Sequence, residues 1–309
     1  MPNEDAIRLK AGRLTVDLDC RGAVIAGFLW QDENGVEIPV MRDGAAHGGD
    51  PLKASCFPLL PFCNRVLDNS FSFAGSDYGF QPNQPWDRHY LHGDGWLSRW
   101  VVHARTDTSV SFAMTRDADR VSPYAYAATI DYTIAEQCLV VALGVTNQGG
   151  SALPFGLGLH PYFPLTPMTT LQASAKTFYP EEADFMPGLR EVVPPDLDFR
   201  QATMPPRRWI NNGFGGWNGR AEIVWPDRAL ALLIEADAAF EDYFVFMSDR
   251  RFEPDFAGDY FCFEPMTHAA NAHRSADLAG LVVLAPQETL RRSVSFRPHE
   301  AARFVRNGS

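Results

Sequence analysis

The chain has 309 residues, of which 46% are hydrophobic, and a formal net charge of −11. This length suits one large all-β domain or two smaller domains. The 38 acidic residues outnumber the 27 basic ones, which disfavours a nucleic-acid partner, and no apolar run approaches the roughly 20 residues that cross a bilayer. We therefore expect neither a nucleic-acid nor a membrane partner; the oligomeric state stays open.

The N-terminus and the cysteines indicate a cytoplasmic protein. Residues 1–5 are polar and acidic, unlike a signal peptide. The five cysteines form no C-x-x-C pair and are odd in number, so we expect buried thiols. They are Cys20, Cys56, Cys63, Cys138 and Cys262.

Alternation of apolar and polar residues with period two dominates the chain and predicts strands. It is clearest in Tyr124–Ile134 and Ser109–Thr115, whereas the continuous apolar run Cys138–Val145 suits a strand buried on both faces. The other predicted strands are Arg8–Asp17, Val24–Trp30, Arg99–Ala104, Leu171–Tyr179, Ala221–Trp225, Leu230–Glu235, Tyr243–Met247, Tyr260–Glu264, Leu281–Leu284 and Thr289–Phe296.

Convincing helices are scarce, and 24 glycines and 23 prolines punctuate the chain at short intervals. Many short strands separated by such turns indicate a sandwich or a barrel. Residues 42–56 and 180–208 are predicted to be irregular, the second because its prolines cannot donate to a ladder. Strand patterning resumes on both sides of each, so we predict one domain over residues 1–309.

The stretch from Gly156 to Phe163 places a lone histidine, His160, between glycines and a proline. Pro161 biases the backbone at His160 towards extended geometry. The two glycines allow a ligand or a neighbouring strand to approach closely. The alternative is a histidine at a strand end, bonded to a backbone carbonyl. Taken alone, the stretch does not decide between these two interpretations.

Two stretches in the first third of the chain offer groups that bind oxygen. Asn64 and Arg65 end an apolar segment, and a guanidinium presents five fixed donors to hydroxyl or carboxylate oxygens. His92 lies in a glycine-rich loop four residues before Trp96, whose ring could stack on a sugar. The structural alternatives are a surface ion pair for Arg65 and a turn whose tryptophan fills the core.

Two later stretches add amides and a carboxylate. Residues 210–219 are rich in amides, glycines and aromatics, and amides such as Asn211 both donate and accept hydrogen bonds. Glu264 follows an apolar strand and precedes Pro265; a carboxylate at a buried strand end tends to have a raised pKa, which suits a general base. The alternatives are a loop of turn-forming residues and a structural ion pair with an arginine.

Together these stretches supply a base, an acid, an oxygen-binding cation, and aromatic and amide walls, a set that fits carbohydrate chemistry. The chain contains no phosphate-binding loop, no dinucleotide fingerprint, no G-x-S-x-G and no H-E-x-x-H. His89 and His92 have a spacing that could bind a metal, but a catalytic zinc usually has three protein ligands and the spacing indicates no third. We therefore expect no metal.

In this order, Asn64-Arg65, His92-Gly93, His160-Pro161-Tyr162-Phe163 and Phe263-Glu264-Pro265 resemble the aldose 1-epimerase (galactose mutarotase) family. The segment from Gly280 to Thr289 resembles the closing strand of that family. The resemblance covers nearly the whole chain. It implies a large antiparallel β-sandwich, the galactose mutarotase-like supersandwich, with the sugar lying across one concave sheet.

The resemblance also implies a mechanism and its residues. Glu264 would be the base that takes the proton from the anomeric hydroxyl, and His160 the acid that protonates the ring oxygen. Ring opening, rotation about C1–C2 and reclosure would interconvert the α and β anomers of a free aldose. His92 and Arg65 would bind substrate oxygens, with Asn64, Asn211 and Trp96 as further substrate-binding candidates. The family implies no cofactor.

One departure from the family pattern concerns the sugar preference. The family commonly has an aspartate that contacts sugar hydroxyls ahead of a phenylalanine; the best local match here is residues 210–214, where Asn211 stands in place of the aspartate ahead of Phe214. An amide keeps the hydrogen bonding and loses the charge. Asp242 and Asp249 are other acidic candidates, with little in the sequence to recommend either.

Three alternative functions stay open. A hexose-6-phosphate epimerase would need a basic pocket, which Arg207-Arg208 or Arg250-Arg251 could supply. A non-catalytic sugar-binding protein would be favoured by loss of the acid or the base, and both are present. A sugar-acid lyase is the third, because fold alone does not determine function.

Overall fold

The computed structural model describes residues 5–44, 50–135 and 137–302, which form an almost entirely β structure. Residues 1–4 of the acidic N-terminus and residues 45–49 of the predicted irregular segment lie outside this part of the chain. The strands are β1 Ala6–Ala11, β2 Leu14–Asp19, β3 Val24–Gln31, β4 Glu37–Pro39, β5 Cys56–Leu59, β6 Ser70–Phe73, β7 Ser76–Gly79, β8 Val101–Arg105, β9 Ser109–Arg116, β10 Tyr126–Ala135, β11 Cys138–Asn147, β12 Leu153–Phe155, β13 Gly158–Pro164, β14 Thr170–Ala173, β15 Thr177–Tyr179, β16 Ile210–Gly215, β17 Arg220–Trp225, β18 Leu230–Ala236, β19 Asp242–Met247, β20 Tyr260–Met266, β21 Val282–Leu284 and β22 Thr289–Glu300.

The strands form two large antiparallel sheets and two small ones. One sheet has ten strands in the order β1-β2-β3-β5-β13-β20-β19-β16-β15, with β4 paired to β3. The other has eight strands in the order β14-β17-β18-β22-β11-β10-β9-β8. Strands β12 and β21 pair with each other, as do β6 and β7. This is the large antiparallel β-sandwich that the sequence predicts.

Alternating residues from both sheets build the core. In β10, Tyr126, Ala128, Ile130 and Tyr132 are buried, and the residues that alternate with them are partly exposed, as period two requires. Polar tips of large aromatics join the sheets: the Trp225 indole N–H donates to the Pro164 carbonyl at 2.7 Å, and the Tyr132 hydroxyl donates to the Ala23 carbonyl at 2.5 Å. Aromatic area therefore fills the space between the sheets, and backbone carbonyls satisfy the polar tips of these two rings.

Most predicted strands are confirmed, and two need correction. The predicted strand Arg8–Asp17 is a hairpin, because Gly12 adopts a φ of 55° and turns the chain between β1 and β2. The predicted strand Leu171–Tyr179 is two strands in different sheets: β14 pairs with β17, and β15 pairs with β16. In both cases the apolar pattern continues across a change of direction that periodicity does not detect.

The proline-rich segment 180–208 carries no strand and crosses the surface through short turns and isolated bridges, as predicted. All five cysteines are buried free thiols, also as predicted. No helix within residues 5–44, 50–135 and 137–302 is both long and apolar enough to cross a membrane.

Candidate active site

His160 and Glu264 lie opposite each other on adjacent central strands of the ten-stranded sheet. Their closest atoms, Nε2 of His160 and Oε1 of Glu264, are 3.2 Å apart. Strands β13 and β20 pair at Gly158↔Met266 and again at Tyr162↔Cys262, and the ladder is interrupted between these points. Prolines follow both residues and have no N–H to donate, which accounts for proline in the middle of a sheet. The sequence predicted strand ends here; the structure has two mid-strand residues at a gap in the ladder.

Aromatic rings hold the imidazole of His160 in place. Phe57 stacks on it with a centroid distance of 4.4 Å and an interplanar angle of 23°, and Tyr162 stacks at 4.8 Å and 28°. The guanidinium of Arg42 lies 3.4 Å from the centroid of Tyr162. The stack limits rotation of the histidine and keeps Nε2 directed at Glu264.

Burial shifts the pKa of both members of the pair towards the neutral form. Desolvation lowers the pKa of His160 to about 3, with a smaller contribution from the charge of Arg42. Desolvation raises the pKa of Glu264 well above its usual value, and the positive charge of Arg65 opposes that shift. His160 Nδ1 and Glu264 Oε2 have no hydrogen-bond partner among the described residues.

A backbone hydrogen bond sets the tautomer of His92. The Asn64 N–H donates to Nδ1 of His92 at 3.0 Å, and the His92 N–H donates to the Asn64 carbonyl at 2.9 Å. Desolvation lowers the pKa of His92 well below its usual value, so the ring is neutral and carries its proton on Nε2. The ring lies edge-on to that of His160, with centroids 5.3 Å apart.

Arg65 is buried and anchored by a carboxylate. Its Nε and Nη2 each lie 2.8 Å from Oδ2 of Asp87, and the other carboxylate oxygen of Asp87 accepts the His89 N–H. The guanidinium carbon is 5.1 Å from the centroid of Phe185. The ion pair that was the structural alternative for Arg65 therefore exists but is buried, and it fixes the direction in which Arg65 presents its remaining donors.

The other three substrate-binding candidates, Asn211, Asn64 and Trp96, differ in what their side chains contact. Asn211 is a buried residue of β16, not of a loop, and its Nδ2 lacks a partner in the described part of the chain. The side chain of Asn64 accepts the Arg65 N–H and shapes the turn. Trp96 is 1% exposed, stacks on Phe57 at 5.1 Å and donates its N–H to the Leu91 and Gly93 carbonyls. It supports Phe57 from behind, as the core-filling alternative expected.

The two glycines before His160 allow close packing of neighbours within the protein. A Cβ on Gly156 would lie 2.1 Å from the ring of His268, and one on Gly158 would lie 2.6 Å from Cys63 Sγ. His268 Nε2 accepts the Cys63 N–H at 2.9 Å, directly before Asn64. These glycines therefore help to position the Asn64–Arg65 turn.

His92, His160 and Glu264 form a cluster whose ligand atoms all lie within 4.8 Å of one another. The spacing in the sequence paired His92 with His89 and indicated no third ligand. The structure instead groups His92 with His160 and Glu264. His92 Nδ1 already accepts a backbone N–H, and Nε2 carries a proton, which leaves no lone pair for a metal in this tautomer. The arrangement fits hydrogen bonding to an oxygen ligand better than metal binding.

The sequence did not identify Asp87 and gave little to recommend Asp242, and the structure brings both carboxyl groups to the site. Asp87 anchors Arg65 from 22 residues away, and no local pattern signals such a contact. Asp242 begins β19, pairs with Gly215 and lies on the same face as Glu264. The predicted strand Tyr243–Met247 begins one residue too late to include it; continuing the alternation back from Phe244 would have done so.

Comparison with known proteins agrees with this geometry. The family model described as aldose 1-epimerase matches residues 5–297. The chain belongs to the aldose 1-epimerase family. A relative in Escherichia coli K12, uncharacterized protein YphB, is 42% identical over 290 residues, which are 94% of this chain and 97% of the relative.

Solved structures of family members share the fold. A provisionally assigned aldose 1-epimerase from E. coli K12 superposes with a TM-score of 0.90 at 40% identity, covering 96% of this chain and 99% of the other. A GalM/aldose epimerase homologue from C. elegans has a TM-score of 0.81 at 18% identity, covering 96% and 99%. Family and fold together indicate an isomerase of the epimerase type.

Proposed function

We propose that this protein interconverts the α and β anomers of a free aldose by acid–base catalysis. The observation that carries the proposal is the 3.2 Å contact between His160 and Glu264 in a buried gap of the sheet. A desolvated carboxylate and an imidazole on one face can exchange protons with two oxygens of the same sugar carbon, O1 and the ring oxygen O5.

The reaction balances with these two groups alone. Glu264 takes the proton from the anomeric hydroxyl, the electrons of that O–H bond form the C1=O1 double bond, and the C1–O5 bond breaks. The ring oxygen receives the proton of His160. Rotation about C1–C2 presents the other face of the aldehyde, and the same steps in reverse close the ring and restore both protons.

The active form of the pair holds one proton in total. Burial keeps that proton on Glu264 in the free protein, because it raises the pKa of the carboxyl group and lowers that of the imidazole. When sugar hydroxyls donate to the carboxylate, the ionised form is stabilised and the proton crosses to His160 Nε2. The two groups titrate as a unit, so the observed pKa values belong to the pair.

His92 and Arg65 position the sugar. The protonated Nε2 of His92 donates to a substrate oxygen beside His160, and its low pKa keeps it from competing as an acid. The guanidinium of Arg65, held by Asp87, provides further donors and stabilises negative charge on Glu264. Asn211 of β16, whose Nδ2 has no partner among the described residues, donates to a hydroxyl group of the sugar.

A neutral aldose is favoured over a 6-phosphate. Of the arginine pairs considered for phosphate, Arg208 is paired with Asp196 at 2.5 Å, and Arg207 donates to the Gly258 carbonyl at 3.0 Å. Arg250 donates to the Phe256 carbonyl. These arginines therefore have partners within the chain, and the net charge of −11 disfavours an anionic substrate.

A mutarotation assay over free and phosphorylated aldoses tests the function. We expect the wild-type protein to speed equilibration of freshly dissolved α anomers, followed by optical rotation or by NMR exchange between the anomeric protons. A chelator should leave the rate unchanged. Absence of acceleration with every aldose would reject the proposal, and a higher kcat/KM for a hexose 6-phosphate would favour the phosphate alternative.

A further inference from the structure

A second carboxyl group lies on the same face of the sheet as Glu264. Strand register places Phe244 opposite Glu264, and Asp242 two residues before Phe244, so Asp242 and Glu264 share one face. We call this face, which carries His160, Glu264, Phe244 and Asp242, the site face. Diagonal neighbours on adjacent strands lie about 7–8 Å apart, a separation that one pyranose ring spans.

Asp242 is largely buried, and its carboxyl group has no hydrogen-bond donor among the residues that the structure describes. Only 9% of the residue is exposed. Burial and the charge of Glu241 raise its pKa to about 7, and the charge of Arg190 opposes that shift; none of the causes is a hydrogen bond. Other aspartates near the site are satisfied, as Asp87 is by Arg65. A carboxyl group that faces a cavity without a donor from the described residues is available to accept hydrogen bonds from a ligand.

The space in front of Asp242 is a cavity of about 540 Å³. Its lining includes Lys176, Thr177, Tyr179, Arg190, Gly215 and Asp242. Gly215 creates the room: a Cβ there would lie 2.6 Å from Thr177 Oγ1 and 3.1 Å from Asp242 Oδ1. The hydroxyl of Thr177 and the carboxyl of Asp242 therefore both face the space that the missing side chain leaves.

We propose that Asp242 is the specificity-determining carboxylate of this site and binds a pair of adjacent hydroxyl groups at the end of the sugar remote from C1. This inference rests on the proposed function and extends it. A carboxylate only accepts, and its two oxygens match two neighbouring O–H donors. Asp242 thus supplies, from β19, the negative charge that Asn211 on β16 lacks.

The test combines Asp242→Asn with sugars that each lack one hydroxyl. We expect kcat/KM for the best hexose to fall about 10- to 100-fold, the loss expected when a hydrogen bond to a charged group is removed. With the monodeoxy sugar that lacks the contacted hydroxyl, the variant and the wild-type protein should differ far less. Asp131→Asn, which removes one charge from the opposite sheet, is the matched control and should leave every rate unchanged.

Gly215→Ala gives a second route to the same readout, since its methyl group would crowd Thr177 Oγ1 and Asp242 Oδ1 without altering a charge. It should raise KM in the same sugar-dependent manner. Thermal midpoints separate folding from binding: Asp242→Asn removes a desolvated carboxyl and should not lower stability above pH 7. An equal loss for all monodeoxy sugars, or no loss, would overturn the assignment of Asp242.

Sugar affinity measured by saturation-transfer NMR distinguishes failure of the proposed function from failure of the inference about Asp242. If the wild-type protein binds the sugar without mutarotation, the proposed function fails and the affinities of Asp242→Asn still decide the role of Asp242. If the wild-type protein neither binds nor converts any aldose, both proposals fail. If it is active and Asp242→Asn matches it in rate and affinity, only the inference about Asp242 fails.

Discussion

His160 lies in β13 and His268 lies two residues after the end of β20; both are buried, and they differ in their hydrogen bonds. His268 uses both ring nitrogens, since Nε2 accepts the Cys63 N–H and Nδ1 bonds the Ala269 carbonyl at 2.8 Å. Within the described part of the chain, His160 has no partner for Nδ1, and its Nε2 faces a carboxyl group that is itself incompletely satisfied. Burial alone therefore does not distinguish a structural histidine from a functional one.

This difference in hydrogen bonding indicates where the folded protein keeps buried polar atoms that lack a partner. A buried polar atom without a partner costs about 1–3 kcal/mol, and residues at the site carry several such atoms, in His160, Glu264 and Asn211. Around His268 the corresponding groups are paired. We infer that a ligand rich in hydroxyl groups compensates the first set, whereas the second set only stabilises the protein.

The largest effect should come from Glu264→Gln. A neutral amide cannot accept the anomeric proton, so we expect kcat to fall by about 10²–10⁴-fold, the usual contribution of a positioned base. Because the pKa of Glu264 is raised in the folded protein, ionising it costs stability as the pH rises through that pKa. The variant should therefore be at least as stable as the wild-type protein at pH 8, as a thermal melt would show.

Near-normal turnover of Glu264→Gln would remove Glu264 from the role of base. Glu222→Gln, on the other sheet and partly exposed, is a control that makes the same chemical change. It should leave kcat unchanged, which would show that the loss belongs to the site and not to the loss of one negative charge.

The comparison of the two histidines is sharpest when both are changed to asparagine. His160→Asn keeps one donor and cannot transfer a proton, so kcat should fall far more than affinity weakens. His268→Asn leaves the Cys63 N–H without its acceptor and should lower the stability by about 1–3 kcal/mol, with kcat near normal while the protein is folded. Measuring melting temperature, sugar affinity and kcat on both variants separates the two roles.

A loss of stability without a loss of kcat in His160→Asn would contradict the catalytic role proposed for His160. If His160→Asn melts early and turns over normally at a temperature where it is folded, His160 belongs to the scaffold. His92 would then be the next candidate for the acid, and its tautomer, set by the Asn64 N–H, would have to change during the reaction.

Local sequence predicted most of the strands and brought His160 and Glu264 forward as candidates, but it missed β5, β13 and β16 and could not predict what depends on long-range register. The motifs around His160 and Glu264 are short and contiguous, so a family resemblance could be recognised in them. The anchoring of Arg65 by Asp87 and the position of Asp242 beside Gly215 depend on how distant segments align. Trp96 shows the converse error, a local pattern that predicts too much. Its glycine-rich loop suggests a ring that stacks on a sugar, but tertiary packing buries that ring in the core.

The smallest expected effect is a decrease in the free energy of unfolding at acid pH. Both histidines contribute to it. Burial lowers the pKa of His160 to about 3 and that of His268 to about 4, against an unperturbed value near 6.5. Between these values the unfolded chain binds more protons than the folded one, so stability falls as the pH falls from about 6.5. Replacing either histidine with asparagine should flatten this dependence in denaturant melts across pH 4 to pH 7. Only the pair formed by His160 and Glu264 should also shape the activity, giving a bell-shaped dependence of kcat/KM on pH that His268→Asn retains. If His268→Asn displaced the activity profile as well, the division between a structural and a catalytic histidine would not hold.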